Sequence, residues 1–225
     1  MKKHIPNTLT CLNLFFGCLA ILSAWHKQYD QMIYCALASG GFDFVDGMAA
    51  RLLHVKSSIG KELDSLADMV SFGFLPGTVL YLMLEESSSS DFLPYTGFVV
   101  TVFSALRLAK FNVDTRQTTD FIGLNTPMNT FFIISLPYIA AEVAWVKNPL
   151  VLLATVALSS FLLISEVKLF SMKLSSLSWR ENKFKYLFLI ASLASLLIGG
   201  LLALPGILLL YIVFSKLHFW SETSA

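Results

Sequence analysis

The stretch Gly41-Phe42-Asp43-Phe44-Val45-Asp46-Gly47-Met48-Ala49-Ala50-Arg51, followed by Leu52 to Ile59 and then Gly60-Lys61-Glu62-Leu63-Asp64-Ser65-Leu66-Ala67-Asp68, decides how the whole chain is read. Four aspartates sit here between strongly apolar flanks. A charged side chain at mid-bilayer costs roughly 2.5–3.5 kcal/mol on insertion scales. Four of them in a lipid-compatible sequence call for something cationic, and a divalent metal is the simplest candidate. Asp43 and Asp46 are three apart, Asp64 and Asp68 four apart, so each pair occupies one face of its own helix. Two antiparallel helices joined by a short turn can aim those faces at each other.

The rest of the sequence agrees with a membrane setting. Of 225 residues, 56% are hydrophobic and 14% charged, with a mean hydropathy of +0.69. A soluble domain is about 45–50% apolar and about 25% charged. Apolar stretches of about 20 residues recur along nearly the whole length, which implies an all-α, polytopic transmembrane bundle. Residues 1–225 read as a single integral membrane domain with no room for a soluble one. Helices are expected at about 8–25, 30–54, 60–84, 92–111, 127–146, 149–168, 184–203 and 205–219. Leu204-Pro205-Gly206 is either a turn between two short spans or a kink in one long one. The N-terminal stretch is expected to be a retained first helix, because it lacks a convincing small-residue cleavage site.

Charge placement gives a topology. With the N-terminus inside, 14 of the 16 Lys and Arg residues fall on inner segments, leaving Lys27 and Lys147 outside. The positive-inside rule then favours an even number of spans, both termini inside, and the aspartates at the cytoplasmic face. The acidic, serine-rich segment 85–91 falls outside as a solvated linker. Cys11, Cys18 and Cys35 are an odd number in apolar segments, which argues against disulfides. His4, His26, His54 and His218 share no ligand spacing. The basic residues follow the membrane edge, so nothing suggests nucleic-acid binding.

The neighbours of the acids define a chemistry. Four carboxylates at this spacing suit one or two Mg²⁺ or Mn²⁺ ions. Gly47, Ala49 and Ala50 remove bulk beside them, and Gly60 does so one turn before Asp64. Arg51 lies two turns after Asp43 and offers a planar fork to phosphate. A purely structural alternative pairs Asp43 or Asp64 with Arg51 or Lys61, the small residues serving helix packing.

The pattern Asp43-x-x-Asp46-Gly47-x-x-Ala50-Arg51, eight residues, Gly60-x-x-x-Asp64-x-x-x-Asp68 resembles the full signature of the CDP-alcohol phosphatidyltransferase family. Further segments resemble its membrane-spanning phosphatidylserine synthase branch: IPNTLTCLNLFFG, ELDSLADMVSFGFLPG, SALRLAKFNV and FIGLNTPMN. Around Asn125, where the family commonly has a second proline, and around Ser165–Lys168, the chain departs from the pattern. The resemblance implies a six-helix core with two further C-terminal helices, in a bacterial-type inner membrane, and a homodimer. It implies transfer of a phosphatidyl group from CDP-diacylglycerol to L-serine, with CMP released. Asp43, Asp46, Asp64 and Asp68 would hold metal, two ions in all, and Asp68 would also act as general base. Gly47, Ala50, Arg51 and Gly60 would receive the liponucleotide.

The acceptor side rests on weaker signals. Serine carries a carboxylate, so a cation is expected, and Arg107 and Lys110 are the candidates. Snorkelling to headgroups is the alternative for both. Asn13 is a ligand-side candidate on the first helix; Asn112, Arg116, Ser165 and Lys168 are further polar candidates. The signature alone leaves glycerol 3-phosphate or inositol phosphate open as acceptors. A divalent-cation transporter is the rival from another class.

Overall fold

The computed structural model describes residues 4–55, 57–114, 121–171 and 178–223. Within them lie α1 (His4–Trp25), α2 (Tyr29–Leu52), α3 (Ser58–Asp68), α4 (Leu75–Ser87), α5 (Phe98–Val113), α6 (Thr126–Glu142), α7 (Pro149–Ile164), α8 (Trp179–Gly199) and α9 (Leu204–Thr223). The fold is all-α, as expected. All eight anticipated helices are present, the third being the α3–α4 run. Arg116, Lys56 and Lys173 lie outside the described residues.

Helix starts follow from their capping residues. Asn125 Oδ1 accepts the Met128 N–H at 2.9 Å and Asn148 Oδ1 accepts that of Leu150 at 2.9 Å. Pro127 and Pro149 follow at positions where a missing N–H costs nothing. Ser57 caps α3 in the same way through the Gly60 N–H, 2.9 Å away.

Among the described residues, four helical runs have the length and apolarity to cross a bilayer: His4–Trp25, Ser58–Ser87, Leu93–Val113 and Asn182–Ser221. Large side chains on their outer faces are bare, with Leu197 and Ile198 at 79% and 89% exposure. Apolar surface on this scale belongs against lipid. The protein is a membrane protein. The last run is a hairpin: Gly200 has φ +55°, a 3₁₀ turn follows, and Phe188 of α8 meets Tyr211 of α9 with ring centres 5.6 Å apart. The reversal therefore sits at Gly200, and Pro205 is absorbed in the first turn of α9.

The α3–α4 run is the axis of the bundle, and a π turn, Met69–Phe74, interrupts it one residue after Asp68. Two backbone carbonyls in that turn find side-chain donors. Pro76 has no N–H to offer Phe72 O, and Thr130 of α6 donates to it at 2.8 Å. Thr101 of α5 donates to Gly73 O at 2.9 Å. In a medium without water such replacements are required. They also fasten α5 and α6 to the axis. α1 crosses on another side, where a Cβ on Gly17 would sit 2.1 Å from Ser71 Oγ; only a small residue permits that approach.

A two-stranded ladder closes one end of the bundle. β1 (Phe121–Ile122) runs antiparallel to β2 (Lys168–Leu169), with Phe121 opposite Leu169. Gly123 follows at φ +81°, donating its N–H to Val167 O at 2.8 Å. A Cβ there would lie 2.8 Å from both Leu163 O and Ser165 O. The glycine in FIGLN is thus fixed by backbone geometry and space. Gly123→Ala is expected to destabilise the protein by about 1–3 kcal/mol, read as a fall in the thermal unfolding midpoint in detergent.

Candidate active site

Asp43 comes from the last turns of α2, Asp64 and Asp68 from α3. One carboxylate oxygen from each lies within 4.8 Å of the others. No Lys or Arg among the described residues is ion-paired with them; Lys27 pairs instead with Glu86, at 2.5 Å. Arg51 is exposed at the end of α2, and Lys61 donates instead to Asn112 O at 2.8 Å. The structural alternative, in which Arg51 or Lys61 neutralises the acids, therefore fails. Even at the outer limit of 4.8 Å, two unit charges repel by about 3.5 kcal/mol at an effective dielectric of about 20. Only an added cation or protonation relieves that. Three converging hard oxygen donors suit Mg²⁺ or Mn²⁺.

Asp46 is placed differently. It is buried, and its Oδ2 accepts from Thr10 Oγ1 at 2.6 Å. The Thr10 hydroxyl also lies 3.0 Å from Pro6 O, so one α1 side chain serves both its own helix and the acid. The structure thus brings three of the four aspartates into one group and ties the fourth to α1.

Asn13 is fully buried one turn along α1. Its Nδ2 donates to Asp68 Oδ1 at 3.4 Å, and its Oδ1 accepts from Ser39 Oγ at 2.6 Å. Ser71 donates to its main-chain oxygen at 3.2 Å. Asn13 is therefore a tether joining α1, α2 and the π turn to Asp68. Every α1 contact to the acids is a neutral donor, which orients a carboxylate without cancelling its charge.

The small residues divide by role. A Cβ on Gly47 would meet nothing within 4 Å, so the space beside Asp43 and Asp46 is open. A Cβ on Gly60 would fall 3.1 Å from Asn7 Oδ1 and 2.8 Å from Ser57 Oγ, so Gly60 admits α1 and the helix cap. Ala50 is half-buried beside Arg51.

Arg107 is buried at 7% exposure, its guanidinium carbon 5.1 Å from the Phe111 ring centre and 5.5 Å from that of Phe121. Cation–π contact supports the charge without saturating its N–H groups. Its Nη2 has no hydrogen-bond partner. Lys110, one turn on, is only half-buried. Asn112 donates to Ser65 Oγ at 2.7 Å and pins α5 to α3. Ser165 donates to Leu162 O at 2.9 Å, and Lys168 is exposed in β2.

Sequence reading missed one feature near Arg107. Ser104, Thr126 and Asn129 are fully buried, and Ser104 Oγ, Thr126 Oγ1 and both Asn129 amide atoms lack partners. Thr130 faces Phe72, and Phe131 approaches Gly40 of α2. Asn129, about 100° the other way around α6, is turned away from α2. Buried polar groups left bare cost about 1–3 kcal/mol each, so these side chains are costly to the fold as they stand. A single Asn and Thr in an apolar run gave no signal of it.

An acidic cluster and a buried cation inside a helical membrane bundle suit an integral membrane enzyme. The chain belongs to the CDP-alcohol phosphatidyltransferase family, which it matches over residues 3–161. It is 32% identical over 170 residues to the Bacillus subtilis CDP-diacylglycerol–serine O-phosphatidyltransferase, covering 74% of this chain and 89% of the relative. The Helicobacter pylori protein of that name is 33% identical over 132 residues, 57% of this chain and 55% of the relative. The Saccharomyces cerevisiae one is 32% identical over 151 residues, 60% and 54% respectively. The matches thus span about half the length of the latter two.

Replacing Thr10 by Val keeps the shape and removes the donor to Asp46. A hydrogen bond to a charged group is worth about 1.5–3 kcal/mol, so Thr10→Val is expected to slow CMP release at least about tenfold with the helical circular-dichroism spectrum unchanged.

Proposed function

We propose that the chain transfers the phosphatidyl group of CDP-diacylglycerol to the hydroxyl of L-serine, giving phosphatidylserine and CMP. The observation that carries this is the convergence of Asp43, Asp64 and Asp68 within 4.8 Å, with no ion-paired Lys or Arg among the described residues, in a chain that matches the family. The relatives' names supply the donor and acceptor. In the same reading the protein is a homodimer, with its site and both termini at the cytoplasmic face of an inner membrane.

Asp43, Asp64 and Asp68 would hold divalent metal, Mg²⁺ or Mn²⁺, with Asp46 completing the set for a second ion. Bound there, the metal would neutralise charge on the pyrophosphate. Arg51, exposed beside the open space at Gly47, clamps a phosphate with its planar fork. Gly47 and Ala50 leave room for the cytidine against α2, and Gly60 lets α1 close the floor. The acceptor is held by its carboxylate on Arg107, with Lys110 at the rim. Its hydroxyl faces Asp68, which Asn13 keeps in one orientation. The serine oxygen forms a bond to the lipid-side phosphorus as the bond from that phosphorus to the bridging oxygen breaks. Asp68 takes the hydroxyl proton through a carboxylate oxygen, and CMP departs with the electron pair.

Purified protein with Mn²⁺ and CDP-diacylglycerol is expected to release CMP when serine is added. Robust release with glycerol 3-phosphate and none with serine would move the acceptor to another branch. Asp68→Asn is expected to lower the rate by at least about 10²-fold, and retained turnover would remove its role as base. Arg51→Ala is expected to raise KM for CDP-diacylglycerol by about tenfold, the scale of a lost charged hydrogen bond. Arg107→Lys, which keeps charge but loses the fork, is expected to raise KM for serine while leaving that for CDP-diacylglycerol alone.

A further inference from the structure

Residues beyond 161 fall outside the segment matched to the family, yet α9 reaches back to the acceptor end. Tyr211 of α9 is buried at 1% exposure. Its hydroxyl donates to Phe170 O at 2.8 Å and accepts from Asn125 Nδ2 at 3.4 Å. One turn along, the fully buried Ser215 Oγ accepts the Phe170 N–H at 3.3 Å. α9 therefore grips Phe170 by both backbone polar groups.

Phe170 directly follows β2, and β2 is paired with β1, which carries Phe121. Phe121 is one of the two rings that hold the Arg107 guanidinium. Asn125 caps α6, the helix bearing Thr126 and Asn129. The head of α6 and one of the two rings that support Arg107 are thus both linked to the Tyr211 hydroxyl. Arg107 also lies within electrostatic reach of both Asp68 and Tyr211.

We propose that Tyr211 is a positioning residue of the acceptor site: through Phe170 and Asn125 it fixes the Phe121 ring and the start of α6, and so aims Arg107 at the acceptor's anionic group. The proposal rests on the assignment of Arg107 to the acceptor made above. Packing alone does not require the hydroxyl. The ring contacts of Tyr211 with Phe170 and Phe188, at 5.3 and 5.6 Å, survive in phenylalanine.

The test uses the full chain, with initial rates measured against serine and against CDP-diacylglycerol separately. Tyr211→Phe is expected to raise KM for serine about fivefold, leaving kcat and KM for CDP-diacylglycerol close to those of the unaltered protein, while the unfolding midpoint falls because Phe170 O loses its donor. Ser215→Ala is expected to act in the same direction and more weakly; it decides by the same split if Tyr211→Phe does not yield folded protein. Phe188→Leu loosens the same cluster without touching the hydroxyl, and is expected to lower the midpoint while leaving KM for serine alone. An unchanged serine KM in Tyr211→Phe, or equal rises for both substrates, overturns the proposal. So does a Phe188→Leu effect on serine KM as large as that of Tyr211→Phe. If the unaltered protein releases CMP with another anionic alcohol and not with serine, the serine assignment fails on its own. The split is then read on that alcohol, and a selective rise in its KM still sustains the role of Tyr211.

Discussion

Crowded negative charge governs this molecule. Asp43, Asp64 and Asp68 are forced together by two helices, and no Lys or Arg among the described residues forms an ion pair with them. Elsewhere a membrane protein pairs its buried acids or does without them. Here the surroundings are arranged to preserve the unbalanced field. α1 contributes Thr10 and Asn13, which hold carboxylates in place through neutral donors. Lys61, close in sequence, is drawn off to the end of α5. The buried cation Arg107 is kept against two aromatic rings. A field left unspent in this way is available to a bound cation and, through it, to a polyanionic substrate.

Holding that arrangement in lipid demands a scaffold with no loose backbone. The α3–α4 run supplies it and also takes the strain of an irregular turn just past Asp68. Thr130 and Thr101 answer two carbonyls of that turn and in doing so tie α6 and α5 to the axis. The polar bonds that satisfy the backbone are thus the same ones that set the distance between the acids and the acceptor side.

Much of this was legible in the sequence, for identifiable reasons. Spacings of three and four put each acid pair on one helical face, and the signature gave the family. Apolar stretches of span length located the helices to within a few residues. Other features depend on partners remote in sequence. Asn13 reads as a ligand-side residue, yet it is a buried tether, because its neighbours Ser39 and Asp68 are 26 and 55 residues away. Asp46 is tied to Thr10 on a different helix, 36 residues away. Gly60 suggests room for a ligand, but Asn7 and the cap of α3 claim that side. Both Gly200 and Leu204-Pro205-Gly206 could have reversed the chain; proline suits a first helical turn, so the positive φ fell to Gly200. The bare polar groups of Ser104, Thr126 and Asn129 leave no periodic trace at all.

The π turn at Met69–Phe74 has an evolutionary corollary. Such a turn is a helix that has swallowed one surplus residue while keeping the phase of the segments on either side. Loss of one residue there would restore an ordinary helix and leave the carboxylates and the apolar seam of α4 still in step, at the expense of the two threonine anchors. The same loss within α3 or α4 would swing one half relative to the other by about 100° and carry the acids out of line. A one-residue deletion is therefore tolerable within the π turn in a way that it is not within α3 or α4, and the turn sits directly after Asp68.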